Sequence, residues 1–126
     1  MFAAARAGHS EIVQQLLAHI AIDVNVAGET FRSDTGTPLF AAARPRHTEI
    51  VWQLLAHSAI DVNVEGEADR DIGSPLFTAA LGGHTEIVQQ LLAHSAIDVN
   101  VEGKTGGDTG SPLFAQALVG HSDIVQ

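Results

Sequence analysis

The sequence contains no cysteine and no tyrosine, a single tryptophan, and six lysine and arginine residues against fifteen aspartate and glutamate. Without cysteine there are no disulfides, no thiolate nucleophile and no Cys-ligated zinc. That leaves the redox compartment open: a cytoplasmic setting is the expectation, and export as an effector is the alternative. The formal charge of −9 opposes the phosphate neutralisation on which nucleic-acid binding and attraction to anionic membranes depend, so neither partner is expected. No apolar run approaches the ~20 residues that span a bilayer, and the opening MFAAARAGHSEI lacks the basic segment and apolar core of a signal peptide. With so few aromatic rings, a core has to be assembled from small aliphatic side chains used many times.

What the chain has is repetition. HTEIVWQLLAHSAIDVNVEG at 47–66 returns as HTEIVQQLLAHSAIDVNVEG at 84–103, with Gln89 in place of Trp52 as the one change. HSEIVQQLLAHIAIDVNVAG at 9–28 is a third copy, and HSDIVQ at 121–126 opens a fourth. Phe2, Phe40, Phe77 and Phe114 are spaced by 38, 37 and 37 residues, and so are His9, His47, His84 and His121. The expected organisation is one array over 1–126, with units of about 1–37, 38–74, 75–111 and 112–126, the terminal ones incomplete.

Each unit reads as two helices and a finger. Pro38 after Thr37 suits the first turn of a short helix, because its missing N–H would have had no partner there. Gly8, Gly83 and Gly120 mark the end of that helix, where a left-handed residue closes it. Ser10, Thr48, Thr85 and Ser122 are expected to N-cap a second helix. In that helix Ile50, Val51, Leu54 and Leu55 form one apolar stripe, while Trp52 and Gln53 face elsewhere. A helix pair of this size cannot cover its own stripe, so neighbouring copies have to stack. Ile-Asp-Val-Asn-Val and a polar, glycine-containing stretch then read as an extended hairpin finger.

Taken together, Thr37-Pro38-Leu39, Ser-Pro-Leu at 74–76 and 111–113, Ala42 and Ala43, the Gly-His pairs, Glu-Ile-Val and Asp-Val-Asn at 61–63 resemble the ankyrin repeat family. The resemblance implies an α-helical repeat solenoid whose fingers and first helices form a concave binding surface for another protein. Three features depart from the family pattern. Phe40, Phe77 and Phe114 stand where the family usually has histidine; each unit is about four residues longer than the usual ~33; and Arg44-Pro45-Arg46 replaces the helix-ending glycine of the second unit.

Chemistry is harder to find. The histidines fall in two columns, one at His9, His47, His84 and His121 and one at His19, His57 and His94. Packed helices lie about 8–10 Å apart, too far for copies in successive repeats to converge on one metal at ~2 Å each. The second column is expected to favour positive charge at helix C-termini. Serines 33, 74, 95 and 111 and the acidic residues are copied along the chain, whereas an active site is a single asymmetric constellation. No enzyme, metal or cofactor is expected. Gly106-Gly107 lacks the Gly-Lys-Ser/Thr of a phosphate loop and reads as a finger tip.

The informative positions are those where near-identical copies disagree. The fingers AGETFRSDTG (27–36), EGEADRDIG (65–73) and EGKTGGDTG (102–110) differ, and so do the first helices. The candidate partner-binding residues are therefore Phe31, Arg32, Arg44, Glu65, Glu67, Asp69, Arg70, Thr78, Leu81 and Lys104. The acidic second finger points to a basic protein or peptide, or else is a solvated loop. Trp52 is either an interface anchor or packed on its own neighbours. An alternative reading is a structural protein that associates head-to-tail, since the array begins and stops inside a repeat and such contacts do not close.

Overall fold

The computed structural model describes residues 1–30, 32–106 and 108–113. Thr37 and Ser74 open two short helices: their side-chain oxygens accept the N–H of Phe40 at 3.3 Å and of Phe77 at 3.1 Å. Pro38 and Pro75 follow at the first helical position. These helices are α3 (Pro38–Ala43) and α5 (Pro75–Gly82), and α1 (Phe2–Ala7) is their counterpart in the first unit. Gly8 and Gly83 close α1 and α5 with φ of 83° and 71°. In the second unit Arg46 adopts the same conformation, with φ 69°, which costs a residue with a side chain about 1–2 kcal/mol.

The second helices are α2 (Ser10–Leu17), α4 (Thr48–Leu55) and α6 (Thr85–Leu92). Their N-caps are His9, His47 and His84, not the hydroxyl residues the sequence pointed to, which already lie inside the helices. The carbonyls of these histidines accept the first helical bonds, from Val13, Val51 and Val88. The rings act between repeats: His47 Nε2 donates to the Arg6 carbonyl at 3.0 Å and His84 Nε2 to the Arg44 carbonyl at 2.9 Å. Each thereby satisfies an orphan carbonyl at the end of the preceding first helix.

The second histidine column makes a contact within its own turn. His19, His57 and His94 each accept at Nδ1 the N–H two residues on, from Ala21, Ala59 and Ala96 at 3.1 Å. These rings brace the turn leaving the helix.

Packing follows the stripe. Ile50, Val51 and Leu54 are buried in α4, as are Ile87, Val88 and Leu91 in α6, while Trp52 is 68 % exposed. Each such aliphatic side chain contributes about 1.5–3 kcal/mol relative to an exposed one. The first helices pack in one row, α1 on α3 and α3 on α5, and the second helices in another, α2 on α4 and α4 on α6. Asn25 and Asn63 stitch the loops across repeats. Asn63 Nδ2 donates to the Ala96 carbonyl at 2.9 Å and its Oδ1 accepts from Asp98 N–H at 2.9 Å, and Asn25 does the same with Ala59 and Asp61 at 2.8 Å each.

After each second helix comes a hairpin: β1 (Gly28–Glu29) with β2 (Thr35–Gly36), β3 (Gly66–Ala68) with β4 (Asp71–Gly73), and β5 (Gly103–Thr105) with β6 (Asp108–Gly110). The hairpins do not stand apart. β2 pairs with β3 and β4 with β5, so all six strands form one antiparallel sheet in chain order. Paired glycines make room for the phenylalanines that distinguish these repeats. The Phe40 ring lies against Gly36 and Gly66, and the Phe77 ring against Gly73 and Gly103. A Cβ on Gly66 would collide with Phe40. Each ring therefore fastens its own first helix to two successive hairpins.

Candidate partner-binding surface

Successive strand residues point to opposite faces of a sheet. The hairpin glycines abut Phe40 and Phe77 of the first helices, so the face that Gly66 shares with Ala68, Asp71 and Gly73 is the inner one. The register carries that face onward through Asp71↔Thr105 and Thr105↔Asp108. The opposite, outer face carries one row across all six strands, Glu29, Thr35, Glu67, Ile72, Lys104 and Thr109, each opposite the next.

Ion pairs gather on the inner side. Arg6 lies 3.8 Å from Asp34, and Arg44 reaches Asp69 at 2.8 Å and Asp71 at 3.5 Å. Asp34 also accepts the backbone N–H of Asp69 at 3.3 Å, joining the first hairpin to the second. Such partly exposed pairs are worth about 0.2–1 kcal/mol each, so their main effect is to orient the hairpins over the first helices.

Two clefts adjoin there. One, of about 320 Å³, is lined by Phe2, Arg6, Asp34, Phe40 and Arg44 among others. The next, of about 330 Å³, is lined by Arg44, Asp71, Thr78, Leu81, Gly82 and His84. Arg44 borders both. Both are at the low end of ligand-pocket size. Among the described residues no three His, Asp or Glu side chains gather to hold a metal ion.

Family models described as ankyrin repeats (three copies) match residues 1–66, and one described as an ankyrin repeat matches 73–104. The chain belongs to the ankyrin repeat family. A comparison with curated proteins gave no match. Ankyrin repeats are helix–turn–helix solenoids that generally serve as protein–protein interaction modules and not as enzymes. No helix among the described residues of this ankyrin chain is long and apolar enough to cross a membrane.

The ten candidate residues do not form one patch. Arg44 caps α3, and Asp69 and Arg70 form the tip of the second hairpin, with Asp69 held by Arg44. Glu67 and Lys104 share the outer row, and Glu65, just before β3, is exposed. Arg32 is exposed in the loop between β1 and β2, Leu81 is half-buried in α5 beside the second cleft, and Thr78 is buried in the same helix. Phe31 lies outside the described residues, as does the fourth unit beyond Leu113. Comparison of the copies passed over Asp34 and Asp108 because they do not vary: Asp-Thr-Gly, Asp-Ile-Gly and Asp-Thr-Gly end the three fingers at 34–36, 71–73 and 108–110. An aspartate kept at one offset in otherwise divergent fingers was the available signal.

Proposed function

We propose that this chain is a single ankyrin array that binds a partner protein or peptide along the inner side of its hairpins and first helices. The observation that carries the reading is the pair of adjoining clefts on either side of Arg44, which are bordered by the first helices and hairpins. Units of about 37 residues lengthen the fingers and deepen that concave side. The net charge of −9 and the exposed Glu65 and Glu67 favour a basic partner. Arg44, Asp69, Arg70, Thr78 and Leu81 belong to the inner side and hairpin tips, with Arg32 in the loop of the first hairpin, and Phe31, outside the described residues, is a candidate from the sequence alone. Lys104 and Glu67 act from the outer row by steering. A pull-down with the intact array, against one whose finger residues are replaced by Gly and Ser, tests this, and retention of the same proteins by both would refute it.

The second reading is head-to-tail self-association through apolar side chains that are exposed among the described residues, Ile12, Val26, Leu92 and Val99. Light scattering against concentration separates the two, because a mass that does not change with concentration removes self-association.

A further inference from the structure

We infer that the outer face of the second helices is a docking surface for a basic segment of another protein, with an arginine or lysine of that segment seated on Trp52 beside Glu49. This surface is separate from the inner side of the hairpins. Charge is divided between the two sides of each repeat. Residues 10–26, 48–64 and 85–101, each a second helix with the loop that leaves it, hold Glu11, Asp23, Glu49, Asp61, Glu86 and Asp98 and not one lysine or arginine. All six basic residues, Arg6, Arg32, Arg44, Arg46, Arg70 and Lys104, fall in the first helices, the turns after them and the hairpins. There Arg6 and Arg44 meet hairpin aspartates. None of the six carboxylates on the second helices and their exit loops takes part in an ion pair among the described residues. Their charge is left for a partner.

Trp52 gives that face an anchor. It is the one change between two otherwise identical blocks of the sequence, and the equivalent residues of the other described copies are Gln14 and Gln89. The substitution leaves the largest side chain of the protein 68 % exposed. Glu49 precedes it by three residues and Ala56 follows by four, so all three share one face of α4, and all three are exposed. An indole and a carboxylate one turn apart, with only a short side chain beyond them, suit a cation. The ring face attracts a guanidinium or ammonium, and the carboxylate accepts its hydrogen bonds. Arginine has the advantage, because its planar group both stacks on a ring and forks onto a carboxylate.

The acidic row continues on both sides of this seat. α2 and α6 pack against α4, and packed helices lie about 8–10 Å apart, so the exposed Glu11 and Glu86 flank Glu49 at about that interval. Seven residues of a helix rise about 10 Å. A partner helix laid across the row would therefore meet the three carboxylates with basic residues seven apart. Arg46 shares a cleft with Glu86 and partly offsets its charge, which leaves Glu49 beside Trp52 as the principal seat.

The test uses the full chain and a helical probe peptide of alanine and glutamine with three arginines seven residues apart, the same peptide with citrulline in their place being the uncharged counterpart. Trp52 is the only tryptophan, so its own fluorescence reports contact. A saturable change in its emission is expected with the arginine peptide, weakening as salt is raised, and none with the citrulline peptide. Anisotropy of the dye-labelled arginine peptide then compares variants. Trp52→Gln, which restores the residue of the other copies and so keeps the fold, should weaken affinity about two- to fivefold. Glu49→Gln should weaken it at least about twofold. Glu102→Gln removes the same charge beside the third hairpin and should leave affinity unchanged. An equal response to the citrulline peptide, or equal losses in Glu49→Gln and Glu102→Gln, would overturn the inference. So would a mass that rises with concentration in the native chain and not in Trp52→Gln, because that assigns Trp52 to a contact between copies.

Discussion

Arg46 donates its Nε–H to Nδ1 of His84 at 3.0 Å, across 38 residues of sequence. The other nitrogen of that ring donates to the Arg44 carbonyl, so His84 bridges two residues of the Arg44-Pro45-Arg46 stretch. This accounts for the loss of the usual glycine in the second unit. Arg46 carries the left-handed strain that Gly8 and Gly83 avoid, and a contact to the next repeat offsets part of it. Two substitutions separate the opposing effects. Arg46→Ala keeps the strain and loses the hydrogen bond, and is expected to destabilise by about 1 kcal/mol. Arg46→Gly loses the bond but relieves the strain, and should exceed the alanine variant by about 1 kcal/mol. Urea unfolding measures both, and equal stabilities would mean that Arg46 is not left-handed in solution.

Leu54→Ala and Leu91→Ala should each cost about 2–5 kcal/mol, the range for a buried leucine, because both side chains are fully enclosed. Gln89→Ala, on the exposed face of the same helix as Leu91, should change stability by less than about 0.5 kcal/mol. Leu16, equivalent to them but only half-buried, should fall between these values. Denaturant midpoints for the four variants decide it, and four equal losses would mean that the helix face is wrongly assigned.

Asn63→Ala removes both the donor to Ala96 and the acceptor for Asp98. Neutral hydrogen bonds contribute about 0.5–1.5 kcal/mol each, and these are solvent-exposed, so a loss of about 1–2 kcal/mol is expected. Asn25→Ala should behave alike, since its two bonds to the second unit match. Amide hydrogen exchange gives a sharper reading: protection of the Asp98 N–H should fall in Asn63→Ala and stay unchanged in Asn25→Ala.

Gly66→Ala tests the fastening of hairpin to helix. Its new methyl group would press on the Phe40 ring, and overpacking of this kind costs about 1–3 kcal/mol. The double variant Gly66→Ala with Phe40→Ala should show a smaller cost for the glycine change than Gly66→Ala alone. A double-mutant cycle by thermal unfolding reads this coupling directly, and strict additivity would count against the ring–glycine contact.

Charge reversal addresses binding once a partner is in hand. Glu65→Lys with Glu67→Lys should slow association of a basic partner and weaken its salt dependence, leaving dissociation little changed, because exposed charges steer the encounter more than they hold the complex. Asp69 is omitted because it holds Arg44, so reversing it would disturb the surface itself. Stopped-flow kinetics at two ionic strengths provide the check, and an effect confined to dissociation would contradict steering.

The sequence by itself determined the elements and their order. The recurring Phe and His marked the units, Thr37-Pro38 and Ser74-Pro75 marked the starts of the first helices, Gly8 and Gly83 marked their ends, and the spacing of Ile50, Val51 and Leu54 identified the buried face. All of these follow from chemistry acting over one or two helical turns, where neighbours in sequence are neighbours in space. Tertiary structure alone decided what the side chains meet across repeats. The rings of His47 and His84 could have capped their own helices, but each found a carbonyl of the preceding repeat. The hairpins could have projected separately, but pairing of Thr35 with Glu67 and of Ile72 with Lys104 joined them into one sheet. That register sent Glu67 outward and Asp71 inward toward Arg44, a division invisible in the acidic run because a shift of one residue exchanges the two faces.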